Sequence, residues 1–332
     1  INNTVKNKIY LLLIYTLIII ACSGQTCAQR QASLQEIESF PVKKSFYAEK
    51  IRVNEIFSPD GIEIKKGNLF VTDSRNNDAM LYQYSLPDFH CIYQGGVRGG
   101  GKDEFQISPT LCKTISDKVY IWGYTPLLIK CFMLNNNHMS LEKEFKLPIS
   151  DGIVNFMNVI NDSLLIYSTF PYKLNIEKVN LNTMQITGRI LIEQKQKELF
   201  FDENRGYLAA NDSLIIYAYT YKKQIDFYRV SDMKLCKRFI DNTVVPHIIV
   251  NNVKETKFCQ RELVAGKRYF YIRCPKKEKG CFIEVFDYSG HSVAKYELDV
   301  LLYAFDVDEE NGIIYGYNSD VFEDGFLKYT IL

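Results

Sequence analysis

The chain has 332 residues, 47% of them hydrophobic, enough for two domains or for one large closed β fold. Its 40 lysines and arginines almost balance 39 aspartates and glutamates, which excludes a global charge field of the kind that recruits nucleic acid or an anionic membrane surface. With 23 tyrosines and 21 phenylalanines, the composition favours strands, where flat rings fit a half-buried pleated surface.

The first segment reads as a targeting signal. Lys6 and Lys8 precede an apolar run from Ile9 to Ala21, too short for a permanent membrane helix, which needs about 20 residues. The run ends in Ile19-Ile20-Ala21-Cys22, which resembles a bacterial lipobox, and that resemblance implies lipidation at Cys22. The alternative is ordinary secretory cleavage after Ala28. Residues 1–21 are thus expected to be a lipoprotein signal peptide, 22–39 a flexible tether and 40–332 a single domain. Surface-exported lipoproteins of Bacteroidetes resemble one another in carrying acids just after the lipidated cysteine, and none occurs here before Glu36. The expected location is therefore an outer-membrane lipoprotein facing the periplasm, or a secreted periplasmic protein, with the lipid as its one membrane contact.

Along the remainder, a short apolar strand recurs six times, opening at Leu69, Val119, Leu164, Leu214, Tyr269 and Ile313. Successive openings are 50, 45, 50, 55 and 44 residues apart, the period of propeller blades in an all-β chain. Each repeat reads as strands A to D. The first takes residues 51–65, 68–72, 80–86 and 90–95. The second takes 107–116, 118–123, 127–134 and 140–147. The third takes 153–160, 163–168, 172–181 and 184–192. The fourth takes 206–211, 213–219, 224–230 and 233–240. The fifth takes 246–264, 268–274, 281–288 and 291–298. The sixth has only 301–307, 312–317 and 326–331. A three-stranded blade would leave an open edge, so Phe40 to Tyr47 is expected to supply its outer strand. The expected fold is an all-β, six-bladed β-propeller closed in this 3+1 manner, and a monomer.

Between the first two repeats lies Gly95-Gly96-Val97-Arg98-Gly99-Gly100-Gly101-Lys102-Asp103-Glu104-Phe105, followed by Pro109. A phosphate-cradling loop should open a helix, whereas strand follows here. Through Gly99, Gly101, Glu104, Phe105 and Pro109 the stretch resembles the interblade loop of NHL and TolB-like six-bladed propellers. That resemblance implies a structural loop whose aromatic packs between blades.

Loops from B to C, and from D to the next A, leave the same face of a propeller. That places Trp122 or Tyr124, Tyr172 and Tyr221 near one rim, where rings suit a sugar or peptide ligand. Arg75, Arg98 and His247 complete the expected ligand-binding set. The four histidines fall in different repeats, no Gly-x-Ser-x-Gly elbow exists, and no Cys/His cluster suggests a metal, so neither cofactor nor metal is expected. Calcium-dependent lactonases resembling this fold place Glu, Asn and Asp around the axis; Asp73, Asn155, Asn211 and Asp306 are candidates, though each also suits a turn or cap. Of the nine cysteines, Cys274 and Cys281 flank a loop between two strands and are the candidate disulfide. Two functions are compatible with these features: a lipid-anchored scaffold binding a protein, peptide or glycan, or a lactonase-like hydrolase or lyase with an axial metal. The scaffold reading, without catalysis, is favoured.

Overall fold

The computed structural model describes residues 32–332 except 57, 77, 103, 115, 125–126, 136–137, 149–152, 171, 277–278 and 324. The signal peptide, Cys22 and the alternative cleavage site lie outside the described residues. Three short strands come first: β1 (Ser33–Glu36), β2 (Val42–Phe46) and β3 (Glu49–Arg52). The rest of the chain folds as successive antiparallel meanders. The first is β4 (Pro59–Lys65), β5 (Asn68–Asp73), β6 (Leu81–Ser85) and β7 (Cys91–Gly95). The second is β8 (Thr110–Thr114), β9 (Val119–Tyr124), β10 (Leu127–Asn135) and β11 (His138–Lys146). The third is β12 (Val154–Asn161), β13 (Leu164–Thr169), β14 (Asn175–Asn180) and β15 (Gln185–Leu191). The fourth is β16 (Gly206–Ala210), β17 (Leu214–Tyr219), β18 (Gln224–Arg229) and β19 (Leu235–Ile240). The fifth is β20 (Glu262–Ala265), β21 (Tyr269–Pro275), β22 (Cys281–Asp287) and β23 (Ser292–Leu298). Last come β24 (Ala304–Asp308), β25 (Ile313–Tyr317) and β26 (Gly325–Thr330).

All six apolar openings seen in the sequence lie in the second strand of a meander. Such a strand has a neighbour on each edge and apolar neighbours on both faces, so it reads as a continuous hydrophobic run. Leu69, Phe70 and Val71 are accordingly buried without exception. Among the described residues the apolar side chains form six clusters, each between one meander and the next. The sixth joins the last meander to the first, with Tyr315 and Phe326 packed against Leu69, Tyr84 and Phe89. The first strands follow the same cycle. β8 runs parallel to β12, and β24 packs beside β4.

Several sequence expectations are corrected. Phe40 to Tyr47 does not edge the last meander. β2 runs parallel to β23 of the fifth, from Val42↔Ala294 to Phe46↔Leu298, because Phe46 finds an edge-on partner in Tyr296 at 5.5 Å. The strand that edges the last meander is β3, antiparallel to β26 from Gly325↔Arg52 to Lys328↔Glu49. Residues 51–65 are therefore two strands in different sheets, β3 and β4. The long fifth-repeat strand at 246–264 is also overturned: only Glu262–Ala265 pairs. Much of the preceding segment is an irregular connection knotted around Thr256, whose hydroxyl accepts from Ile249 N at 2.9 Å and sits 2.8 Å from Asn252 O. Part of the expected tether is also ordered: β1 adjoins β19, and Ile37 and Phe40 pack against the cluster between the fourth and fifth meanders.

Cys274 and Cys281 are both free thiols. The register explains why: Cys274 lies opposite Phe282 and Cys281 opposite Pro275, a one-residue offset. Successive side chains in a strand alternate faces, so the two sulfurs point to opposite sides of the sheet. Cys281 Sγ lies 3.4 Å from Val300 O, and Cys274 Sγ lies 3.7 Å from Lys223 Nζ.

Candidate functional site

In each antiparallel meander the B–C loop, the entry to A and the exit from D share one end, and β8 runs parallel to β12, so the second and third meanders point the same way. Exposed large apolar side chains follow that division. Outside the N-terminal segment and the final residue, those among the described residues lie in or at the mouth of such connections, including Ile153, Phe200, Val245, Tyr303 and Val321. Among the described residues the A–B and C–D turns hold none. The described exposed apolar groups are thus scattered over the B–C and D–A connections.

The densest grouping in these connections lies over the third, fourth and fifth meanders. The connection leaving β15 makes one 3-10 turn, Leu199–Phe201, and is fixed by buried Asp202. That carboxylate accepts Lys195 N at 2.5 Å, Gln196 N at 2.7 Å and Asn204 N at 2.8 Å. So anchored, the connection places Phe200 half-exposed and sets the Arg205 guanidinium 4.4 Å from the Phe200 ring centroid and 4.7 Å from that of Phe170. Tyr221, from the B–C loop of the fourth meander, donates its hydroxyl to Phe200 O. Its ring stands 5.3 Å from Phe258, which is covered by Arg261 at 3.7 Å. A continuous chain of contacts therefore runs Phe170–Arg205–Phe200–Tyr221–Phe258–Arg261. Burial pushes the Arg261 guanidinium below its ordinary value, and Arg273 and Arg205 push the same way against the opposing influence of Tyr207. Beside this chain, Tyr172, Gln194, Lys195 and Lys197 line an open cavity of about 440 Å³.

The residues expected from sequence divide sharply. Tyr172 is 71% exposed and lines the cavity. Tyr221 belongs to the same region but is fully buried, holding Phe200 and Phe258 rather than facing solvent. Trp122 is buried in the cluster between the second and third meanders, and the Tyr124 side chain lies outside the described residues. Arg75 is exposed, its backbone N–H bonded to Asp73. Arg98 is exposed and donates to Gln106 O at 3.2 Å, bracing the glycine loop. His247 is exposed, and its carbonyl accepts Lys257 N. The structure gathers none of these last three into the grouping. The sequence reading did not identify Arg205, Phe200, Phe258 or Arg261. The signal was present in Leu199-Phe200-Phe201, an apolar triplet in a connection that no strand partner could bury.

The glycine loop works as a lysine cradle. Buried Lys130 donates to the carbonyls of Gly101 (3.3 Å), Lys102 (2.6 Å) and Glu104 (2.7 Å), and stands 4.8 Å from the Phe105 ring centroid. The N–H groups of Gly99, Glu104 and Phe105 bond within the loop, and that of Gly101 donates to Glu104 Oε2. With inward carbonyls and occupied N–H groups, the loop is arranged for a cation, opposite to a phosphate nest. A cavity of about 250 Å³ adjoins it.

Three of the four axial candidates, Asp73, Asn211 and Asp306, serve local structure. Asp73 accepts Ser58 N at 2.8 Å, and Asn211 accepts Ser213 N and Leu214 N. Asp306 accepts Ile64 N at 2.8 Å and pairs with Lys113 at 3.2 Å. Among the described residues no three His, Cys, Asp or Glu side chains converge in a way that could hold a metal ion. Nor is any described helix long and apolar enough to cross a membrane.

No protein-family model matches the chain, and no curated protein matches it. Solved structures do. A protein of Bacteroides fragilis described as exported aligns over 90% of this chain and 98% of its own, at 11% identity and a TM-score of 0.55. The WD40 repeats of RRP9 align over 86% and 97%, at 5% identity and 0.54. U3-55K aligns over 86% and 98%, at 6% identity and 0.52. At these identities the likeness is one of fold: the chain has a propeller-like all-β fold.

Proposed function

We propose that this chain is a six-bladed β-propeller, with β3 as the outer strand of its last blade, and that it works as an extracytoplasmic binding scaffold anchored through lipid on Cys22. The partner, a protein, peptide or glycan, docks on the end that carries the B–C and D–A connections. The observation that carries this reading is the confinement, among the described residues, of exposed apolar side chains to those connections, with the arginine–aromatic chain at its densest point. The closed cycle of apolar clusters supports the six-bladed ring, and the loop ending in Glu104 and Phe105 supports kinship with NHL and TolB-like propellers. An exported neighbour and two WD40-type neighbours are compatible with export and with a scaffold.

Photo-crosslinking from single sites tests the reading. A crosslinking amino acid replacing Tyr172 should capture a partner in cells, and one replacing Asn182, in a C–D turn at the opposite end, should not. Capture from Asn182 alone would overturn it.

A further inference from the structure

The two guanidinium groups are held in place but not neutralised. Among the described residues, neither Arg205 nor Arg261 makes an ion pair, and each nearby acid is committed elsewhere. Asp202 caps three backbone N–H groups, Glu203 lies 3.7 Å from Lys222, and Glu262 pairs with Arg273 at 3.1 Å. Arg205 uses one N–H on Phe200 O at 3.4 Å and also bonds the Tyr221 hydroxyl, and the Arg261 guanidinium stands 3.7 Å over the Phe258 ring centroid. Stacking fixes the plane of a guanidinium and leaves its edge, with its forked donors, free to meet a planar anion.

We infer that Arg205 and Arg261 together form a receptor for carboxylates on an acidic peptide segment of a partner protein. This rests on the docking face proposed above and names what that face recognises. A carboxylate matches the guanidinium fork in geometry and charge. Burial and the mutual repulsion of the cations, which already depress Arg261, would be relieved by its arrival. The surroundings favour a peptide over an acidic glycan. Sugars stack on open ring faces, but guanidinium groups already lie over Phe170, Phe200 and Phe258. Besides Tyr172, the exposed neighbours include aliphatic groups: Ile153, whose carbonyl accepts Phe170 N, and Val245 and Val250 in the connection that leads to Phe258. Such groups suit the apolar side chains that flank acids in a peptide.

The test measures binding of a fluorescent hexaglutamate peptide to the folded protein, beside hexalysine and an oligogalacturonate. Hexaglutamate should bind and hexalysine should not. Arg205→Gln and Arg261→Gln should each weaken binding by about tenfold, as expected for loss of one charge-assisted contact. Arg261→Lys should fall between, and Lys267→Gln, an exposed charge in an A–B turn, should change nothing. Thermal melts show that each variant is folded. No hexaglutamate binding, equal weakening by Lys267→Gln, or tighter binding of oligogalacturonate would overturn the inference. If Tyr172 crosslinking persists in the Arg205→Gln/Arg261→Gln protein, the carboxylate receptor fails while the docking face stands. If nothing is captured from wild type, the face itself fails.

Discussion

Lys328 on β26 pairs with Glu49 on β3 at 2.9 Å, directly across the ladder. Cross-strand charge pairs between C and D strands also occur in four other meanders, on the opposite face of the sheet: Lys130 with Glu144, Glu177 with Arg189, Asp226 with Arg238, and Glu284 with Lys295. In the first meander Gln83, opposite Tyr93, donates instead to Asn68. β3 thus brings a charged partner to the edge of β26, as the fourth strands of four other meanders do to their third strands. Its role as the outer strand is written in side-chain chemistry as well as in backbone pairing.

That register predicts a disulfide. Opposed residues in an antiparallel pair have Cα atoms about 4.5–5.5 Å apart, within bridging range. Glu49→Cys with Lys328→Cys should oxidise to a crosslink found by non-reducing peptide mapping. Its absence under oxidising conditions would refute the β3–β26 pairing. Gly325→Ala should also loosen this edge, because a Cβ there would collide with the Ile51 carbonyl oxygen. A loss of roughly 1–3 kcal/mol in urea unfolding is expected.

Asp226 should matter far more than its surface counterparts. It is fully buried and accepts from Arg238 Nε (2.7 Å), Arg238 Nη2 (2.6 Å), Tyr219 (2.8 Å) and Tyr228 (3.1 Å). Asp226→Ala strands all of these donors and should cost about 3–5 kcal/mol, as for other broken buried pairs. Tyr228→Phe removes one donor and should cost about 1 kcal/mol. Equal urea midpoints for the two variants would contradict this ranking.

The propeller period was legible because each second strand is buried on both faces, so the apolar runs at Leu69 and its five equivalents had to be continuous. The strand that edges the last meander was not, because Phe40 and Phe46 advertise burial more strongly than Glu49-Lys50-Ile51-Arg52. The aromatics pack against Phe286 and Tyr296, while β3 is fixed by pairing and charge. The site was half legible for a related reason. Tyrosine marked Tyr172 and Tyr221 alike, and nothing local separates a rim ring from one beneath the rim. Arg205 and Arg261 are joined only through Tyr221, which reaches Phe200 and Phe258 from a third segment of the chain.

Glu284 predicts an acid-sensitive contribution to stability. Burial alone would raise its carboxyl, but Lys223 and Lys295 outweigh that and hold it below its ordinary 4.5. A carboxyl depressed in the fold contributes stability above its unfolded value and loses it as pH falls through the folded value. Glu284→Gln should therefore lower the urea midpoint at pH 7, and the gap to wild type should close below 4.5. Glu63 has the opposite sign. Burial raises it despite Lys65 and Lys113, so the wild-type fold gains from its protonation as pH falls toward 4.5. A Glu284→Gln deficit that widened in acid would contradict the assignment.

The thiols make a separate test. Burial pushes Cys274 up to about 12 and Cys281 up to about 11, with Glu284 adding to the first. Only the thiolate alkylates. Iodoacetamide at pH 8 should therefore leave both unmodified in the native protein and label both after denaturation without reductant. Failure to label the denatured pair until reductant is added would restore the disulfide.

Tyr172 and Tyr221 should part company when each is replaced by alanine. Tyr172 is largely exposed, so Tyr172→Ala should move the urea midpoint by no more than about 0.5 kcal/mol. Tyr221 is fully buried, donates to Phe200 O and packs on Phe258. Tyr221→Ala removes a large ring and a bonded hydroxyl together, which should cost about 3–5 kcal/mol. Tyr221→Phe keeps the ring but leaves the Phe200 carbonyl short of a donor, for about 1 kcal/mol. The same series bears on recognition. Because Tyr221 sits between the two arginine-bearing rings, Tyr221→Phe should weaken hexaglutamate binding only slightly, since both guanidinium platforms survive. Tyr221→Ala should weaken it strongly even where the protein remains folded, because Phe200 and Phe258 lose their common support. If Tyr221→Ala left peptide affinity intact in a folded protein, the arginines would not depend on that support, and the contact chain would be incidental to binding.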